Sequence, residues 1–434
     1  MNVDFSKIDK VHFIGIGGIG VSAIARMMLH EGKKVSGSDR SASDITSELQ
    51  KSGARVFIGQ KAENIDSATG LVIYTVAIPE DNPELLEARE LGIPSITYPE
   101  ALGKLSEGKF TIAVSGAHGK TTTTAMIAAM LIDAGFDPTV IVGSILKDQQ
   151  SNFIAGKSNY LVIEACEYKR SFLNYTPTIL VITNIDDDHL DYYKDMEDIK
   201  SAFRELVNKV PSTGAVVCDR EQMHIEDVVK KATCDIVDYE LFGDQNLKLK
   251  VPGSHNLANA AAVLAVADIL KIPRDRAKKS LQRFSGTWRR FEYKGKTKKG
   301  SLVYDDYGHH PTEVEATIQG ARELYPEAKV TVIFQPHLYS RTKQHLHEFG
   351  KAFGQASNVV LAPIYAAREA FDGSITSDMV ADEIRGNGGN AVSLGDFEAI
   401  EKHIVDGSEK GDVVIVMGAG DITELGGRLA VIKE

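Results

Sequence analysis

The sequence predicts an α/β protein of three serial domains: an N-terminal Rossmann-like domain, a central P-loop ATPase-like domain and a C-terminal Rossmann-like domain. Apolar, β-prone runs recur along the chain, end in glycine or polar residues, and are followed by segments with helical spacing, the pattern of parallel sheets covered by helices. Two of these runs open into glycine-rich loops, Gly15-x-Gly17-x-x-Gly20 and Gly116-x-x-Gly119-Lys120-Thr121. The length, 434 residues, is also too great for one ordinary core. Domain boundaries are expected at 1–104, 105–287 and 288–434.

The first loop follows the strand-like run Val11–Ile14 and precedes a helical pattern from Ser22 to His30. A second run, Lys34–Ser38, ends at Asp39, where a dinucleotide fold places its ribose-binding carboxylate. Gly15, Gly17, Gly20 and Asp39 are therefore candidates for holding a diphosphate-linked nucleotide, although the glycines could serve only close strand-to-helix packing. Further strands are expected within 53–58, 70–75 and 93–96, which leaves this domain short of a complete six-stranded dinucleotide fold.

The second loop lies in Phe110-Thr-Ile-Ala-Val-Ser-Gly-Ala-His-Gly-Lys-Thr-Thr-Thr-Thr-Ala125, which reads strand, tight loop, helix. Such a turn aims backbone N–H groups and the positive end of a helix dipole at one point, while Lys120 adds a charge and Thr121 a hydroxyl for a metal ion. Gly116, Ala117, His118, Gly119, Lys120, Thr121 and Thr122 form a polyphosphate cradle, shorter than the usual G-x-x-x-x-G-K-[ST] because position 114 is valine. The run Tyr160–Glu164 ends in Glu164, and the run Thr178–Asn184 ends in Asn184, with Asp188 and His189 after it; a carboxylate and an imidazole at strand ends, Glu164 and His189, are suited to Mg²⁺ beside a bound triphosphate. Taken alone, His189 reads equally as a solvated loop residue.

His255 and Asn259 stand four apart at the start of an alanine-rich helix, so they share a face that could flank a purine ring. Ser254 there is also a plausible helix cap. Arg290, in Trp288-Arg-Arg290, carries a rigid fork for phosphate oxygens. The last third restarts as α/β, with polar groups bunched at strand ends: Asp305-Asp-Tyr-Gly-His-His310 after one run, His337 and Arg341 after another. So much polarity at a strand end points to a ligand crevice.

A hydrophobic fraction of 43% with 25% charged residues belongs to a globular protein, and a net charge of −11 argues against binding a nucleic-acid backbone. Cys166, Cys218 and Cys234 form no C-x-x-C pair, so neither a disulfide framework nor a zinc knuckle is indicated. The N-terminus lacks a signal-peptide pattern, and no apolar run reaches the ~18 residues of a membrane span. A cytoplasmic protein, without membrane or nucleic-acid partners, is expected.

The loop Gly116–Thr122, Glu164-Ala-Cys-Glu167, Thr183-Asn-Ile185 with Asp188-His189, Gly253-x-His255-Asn256-x-x-Asn259, Trp288-Arg-Arg290 and Asp305–Pro311 together resemble the ATP-dependent Mur ligases of peptidoglycan synthesis. The resemblance covers essentially the whole chain, in order. It implies ATP and Mg²⁺ as cofactors, UDP-N-acetylmuramate and L-alanine as substrates, an acyl-phosphate intermediate, and a monomer or homodimer. Position by position, it assigns the sugar nucleotide to Gly15, Gly17, Gly18 and Asp39, and the γ-phosphate to Lys120. Magnesium falls to Thr121, Glu164 and His189; adenine, ribose and phosphate fall to His255, Asn259, Arg290 and Asp306. The amino acid falls to Tyr307, His309, His337 and Arg341, with Lys120, His309 and Arg341 catalytic. Two positions depart from the family pattern: Cys166 replaces an acid, leaving Glu167 unassigned, and Leu338 replaces an arginine, whose contact is either missing or made by Arg341. Two other readings remain open: a related ligase adding a tripeptide or another amino acid, and a dinucleotide-dependent oxidoreductase resting on Gly15–Asp39. The oxidoreductase leaves the Lys120 loop unexplained.

Overall fold

A computed structural model describes residues 3–190, 192–367, 369–371 and 373–432. Three sheets follow one another along the chain. The first holds β1 (Lys10–Ile14), β2 (Lys34–Asp39), β3 (Arg55–Ile58), β4 (Leu71–Tyr74) and β5 (Ser95–Thr97) in the order 3-2-1-4-5, all parallel. The order reverses at β1, so the loop after it opens at the carboxyl edge where such sheets bind ligands.

The second sheet contains β6 (Phe110–Ser115), β7 (Thr139–Leu146), β8 (Ser151–Ile154), β9 (Tyr160–Glu164), β10 (Ile179–Ile182), β11 (Ala215–Cys218) and β12 (Asp235–Asp238), ordered 12-11-10-6-9-7-8. Here β6 is central between β10 and β9, and nearly every side chain of these three strands is buried, which explains why they read as mostly apolar runs without alternation. The edge hairpin β7–β8 is antiparallel.

The third sheet is β13 (Glu292–Lys296), β14 (Leu302–Asp306), β15 (Val330–Phe334), β16 (Asn358–Leu361), β17 (Ala391–Ser393) and β18 (Val413–Met417), ordered 13-14-18-15-16-17. Only β13 runs antiparallel. Consequently the ends of β14, β18 and β15 lie side by side on one edge, and the polar clusters after Asp306, Met417 and Phe334 are brought together.

The α/β class is as expected. The chain packs as two compact units, Met1–Gln245 with Asn259–Arg283, and Asn246–Ala258 with Phe284–Glu434. Within the first unit the two sheet layers are joined directly: Asn152 on β8 donates to the Ile19 carbonyl and, at 2.8 Å, to Ser22 Oγ on the helix after β1. That helix spans Ile19–His30 and starts three residues before the apolar spacing suggested, because extended Gly18 acts as its N-cap. Among the described residues no helix is long and apolar enough to cross a membrane.

Candidate active site

The loop after β1 is stitched together by its own backbone. Gly15 and Ile16 N–H groups donate to the Ser38 carbonyl at 2.8 and 2.9 Å, Gly17 N–H to Asp39 Oδ2 at 2.8 Å, and Gly18 N–H to Gly15 O at 3.1 Å. Asp39 thus braces the loop and also accepts from Arg40 N–H at 2.8 Å. Gly18 caps the helix without a side chain, so the first-turn amides of Ile19, Gly20 and Val21 are the donors this loop offers an anion. Gly15, Gly17, Gly18 and Asp39 are therefore brought together, with the glycines shaping the turn and the helix terminus facing outward.

The loop after β6 is shaped by Gly116, at φ +128°, where a Cβ would lie 2.2 Å from Thr183 Oγ1. Its far side is pinned by the segment after β10: His118 N–H donates to Asn184 Oδ1 at 2.8 Å, and Asn184 Nδ2 donates back to His118 O at 3.0 Å. The His118 ring lies 3.2 Å from Asp186 Oδ2. Left-handed Gly119 is the N-cap of the helix Lys120–Asp133 and contributes no side-chain cap. Asn259 Oδ1 rests against it, 2.6 Å from where a Cβ would stand.

Lys120 folds over this turn, donating to Ala117 O at 2.9 Å and Glu167 Oε1 at 3.0 Å, and also to Gly116 O. Burial alone would depress its ammonium, but the negative potential of Glu167, followed by that of Asp188 and Glu164, outweighs it and raises the group above its ordinary value. Lys120 is a permanent cation. Burial pushes the Cys166 thiol up to about 12, with Glu167 adding to the shift, so it is a neutral group here.

Two donor sets flank the lysine. Thr121 Oγ1 donates to Glu164 Oε2 at 2.9 Å, and the same oxygen accepts from Gly143 N–H at 2.9 Å. Separately, Glu167, Asp188 and His189 place ligand atoms within 4.8 Å of one another, with His189 Nε2 3.7 Å from Glu167 Oε1 and 3.6 Å from Asp188 Oδ2. Glu167 Oε2 is buried with no hydrogen-bond partner among the described residues. An orphan carboxylate oxygen amid hard donors and one imidazole fits a divalent cation such as Mg²⁺. The three expected metal residues thus divide, Thr121 with Glu164 and His189 with Glu167. Sequence reasoning left Glu167 unassigned and quoted Asp188 without a role.

In the second unit, Asp306 ends β14 and is buried; its oxygens accept from Phe291 N–H at 2.7 Å and Gly308 N–H at 2.8 Å. Burial raises its carboxyl to about 6, against the lowering influence of Arg290 and those two amides. Arg290 lies 3.5 Å from Glu313 Oε1 and over the Tyr307 ring at 5.4 Å, and His255 feels the charges of both Arg290 and Glu313. Arg289, not expected to matter, is buried, pairs with Asp305 at 3.4 Å, and donates to the carbonyls of Gly418 and Gly420 in the turn after β18.

The amino-acid residues expected from sequence form a chain of ring contacts: Tyr307 to His309 at 5.5 Å, His309 to His337 at 5.8 Å. Arg341 Nη1 is 3.3 Å from His337 Nδ1. His337 stacks on Tyr365 at 5.7 Å and 18°, a residue in the loop after β16 that carried no sequence signal. His309 Nδ1 lies 3.2 Å from the Tyr307 carbonyl and 3.4 Å from Glu313 Oε2, both acceptors, an arrangement suited to a proton on Nδ1. Leu338 is buried, with its N–H bonded to Tyr365 O at 2.9 Å, so the cation beside His337 is Arg341.

The three-sheet α/β architecture is shared with known proteins. Family profiles described as "Mur ligase family, catalytic domain", "Mur ligase middle domain" and "Mur ligase, glutamate ligase domain" match residues 10–110, 114–247 and 289–420. The UDP-N-acetylmuramate–L-alanine ligase of Clostridium kluyveri is 42% identical, over 98% of this chain and 99% of its own length. The crystal structure of UDP-N-acetylmuramate-alanine ligase from Thermotoga maritima is similar with a TM-score of 0.82 and 31% identity, covering 97% of this chain and 98% of that one. A murein peptide ligase from Psychrobacter arcticus shares the fold, at a TM-score of 0.73, 23% identity, and 97% and 98% coverage. With three consecutive profiles and a relative matched along nearly the whole sequence, the chain belongs to the Mur ligase family.

Proposed function

We propose that this chain is an ATP-dependent ligase that joins L-alanine to the carboxylate of UDP-N-acetylmuramate, through an acyl phosphate, in peptidoglycan precursor synthesis. The observation that carries the reading is the Lys120 loop, a largely buried cation at a helix N-terminus, in a chain 42% identical along its length to an alanine-adding ligase.

A carboxylate resists attack by an amine, so amide formation requires activation. A carboxylate oxygen of the muramyl group attacks the γ-phosphorus, ADP leaves, the alanine nitrogen attacks the acyl carbon, and inorganic phosphate leaves. Lys120 exchanges its carbonyl and Glu167 partners for γ-phosphate oxygens and offsets the charge that develops there. Magnesium, when bound, would be held by Thr121 with Glu164 and by Glu167, Asp188 and His189, and would shield the phosphate charge. Ile19, Gly20 and Val21 amides hold the diphosphate of the sugar nucleotide, with Asp39 and the glycines fixing their direction. Asn259, beside the phosphate loop, and His255, Arg290 and Asp306 hold the rest of the nucleotide. Arg341 and Tyr307 orient alanine, and His309 Nε2 takes the proton its ammonium must lose.

Amino-acid-dependent phosphate release, followed by mass spectrometry of the nucleotide product, tests the reading. Release with L-alanine and a product one alanyl residue heavier is expected. Release with a tripeptide but not with L-alanine, glycine or L-serine would move the activity to a muramyl-peptide ligase.

A further inference from the structure

Beneath the first glycine loop lies a polar cluster that the chemistry above does not use. Glu84, in the first turn of the helix Pro83–Glu90, is fully buried, as are His12 on β1 and Ser38 on β2. Its Oε2 accepts from Ser38 Oγ at 2.5 Å and lies 3.7 Å from His12 Nε2; its Oε1 accepts from Asn64 Nδ2 at 2.6 Å. Asn82 caps the helix by accepting from Glu84 N–H at 3.0 Å, which fixes where the carboxyl group begins. His12 Nδ1 is in turn 3.0 Å from Ser36 Oγ.

Burying a carboxyl group is costly, and apolar side chains would fill the same space more cheaply. A network in which both carboxyl oxygens of Glu84 are hydrogen-bonded holds one geometry. What this one holds is the pair Ser38–Asp39, and it does so by two routes. Ser38, gripped at its hydroxyl by Glu84, uses its carbonyl to accept from Gly15 and Ile16 N–H. Asn64, gripped by Glu84, also donates to the Gly59 carbonyl at 3.0 Å, and Gly59 N–H donates to the Asp39 carbonyl at 2.8 Å. Asp39 then accepts from Gly17 N–H. Both routes end on the turn that aims the amides of Ile19, Gly20 and Val21.

We propose that Glu84 is a positioning residue for the sugar-nucleotide site: through Ser38 and Asn64 it sets the glycine turn, and so the direction of the helix terminus that takes the diphosphate. The inference rests on the functional reading above. It acts on nucleotide affinity and leaves the phosphoryl-transfer machinery around Lys120 alone.

The test compares Glu84→Ala, Glu84→Gln and Ser38→Ala in the full chain, each checked for folding by circular dichroism. Glu84→Ala is expected to raise the KM for UDP-N-acetylmuramate about tenfold or more, the scale seen when a supporting shell is removed, with kcat and the KM values for ATP and L-alanine near those of the parent. Glu84→Gln, which keeps one acceptor, falls between; Ser38→Ala, which deletes a single hydroxyl, reproduces part of the effect if the Glu84 variants fail to fold. Calorimetric titration with UDP alone should show the same ranking. Folded variants with the parental KM for the sugar nucleotide, or a loss shared equally by kcat and all three KM values, would overturn the proposal. A parent enzyme that binds no UDP-N-acetylmuramate would instead overturn the functional reading beneath it.

Discussion

Replacing Lys120 by alanine has two separable consequences, because the ammonium serves both the phosphate loop and a buried ion pair. For catalysis, one unit charge about 4 Å from a transferring phosphoryl oxygen contributes about 4 kcal/mol at an effective dielectric of about 20, so turnover should fall roughly 10³-fold. For stability, Lys120 Nζ and Glu167 Oε1 are 3.0 Å apart with side-chain exposures of 12% and 4%, so the variant strands a buried carboxylate. Breaking such a pair from one side costs ~3–5 kcal/mol. The double variant Lys120→Ala/Glu167→Gln removes the stranded charge and should recover most of that stability without recovering turnover. Denaturant unfolding reads the stability effect, phosphate release the catalytic one, and calorimetry with UDP-N-acetylmuramate should show affinity little changed, since Lys120 lies apart from the Gly15–Gly18 turn in sequence and in sheet. Turnover of the single variant within about tenfold of the parent would refute the catalytic assignment. A double variant no more stable than the single one would refute the ion-pair argument.

Chelation by EDTA should abolish phosphate release, with Mg²⁺ or Mn²⁺ restoring it; Thr121→Ala should raise the metal concentration needed for half-maximal rate, and full activity in chelator would exclude the donor sets described. Asp306 has a folded-state value of about 6 against 3.8 unfolded, so between those values the folded protein binds more protons. Its contribution to stability therefore falls as pH rises from about 4 to about 6, by up to ~3 kcal/mol; Asp306→Asn should remove that component from a plot of Tm against pH, and an unaltered plot would contradict the assignment. Asp39→Ala removes the acceptor for Gly17 N–H and should weaken UDP-sugar binding about 5- to 150-fold, the scale of ~1–3 kcal/mol for a lost charge-assisted hydrogen bond. ATP binding should be spared, as calorimetry would show or deny.

The α/β class, the glycine turns and the loop bearing Lys120 were legible because each is local. A parallel strand buried on both faces reads as a mostly apolar run, as β6, β9 and β10 do, and a backbone anion cradle needs Gly116 and Gly119 at fixed offsets from Lys120. Tyr307, His309, His337 and Arg341, proposed for the amino-acid site, were singled out for the same reason: each follows a strand, where parallel topology gathers polar groups. What sequence alone did not determine are relations across long separations. Glu167 meets Lys120 across 47 positions, and Glu84 reaches Ser38 across 46. Tyr365 supports His337 from a loop with no periodicity or motif. The edge hairpin β7–β8 was missed as well, since its second strand, Ser151–Ile154, is short and opens with polar residues. Which residues share a motif is set by backbone geometry over a few positions and is written in the chain. Which carboxylate sits beside which cation is set by sheet order and helix packing, and only the folded structure decides it.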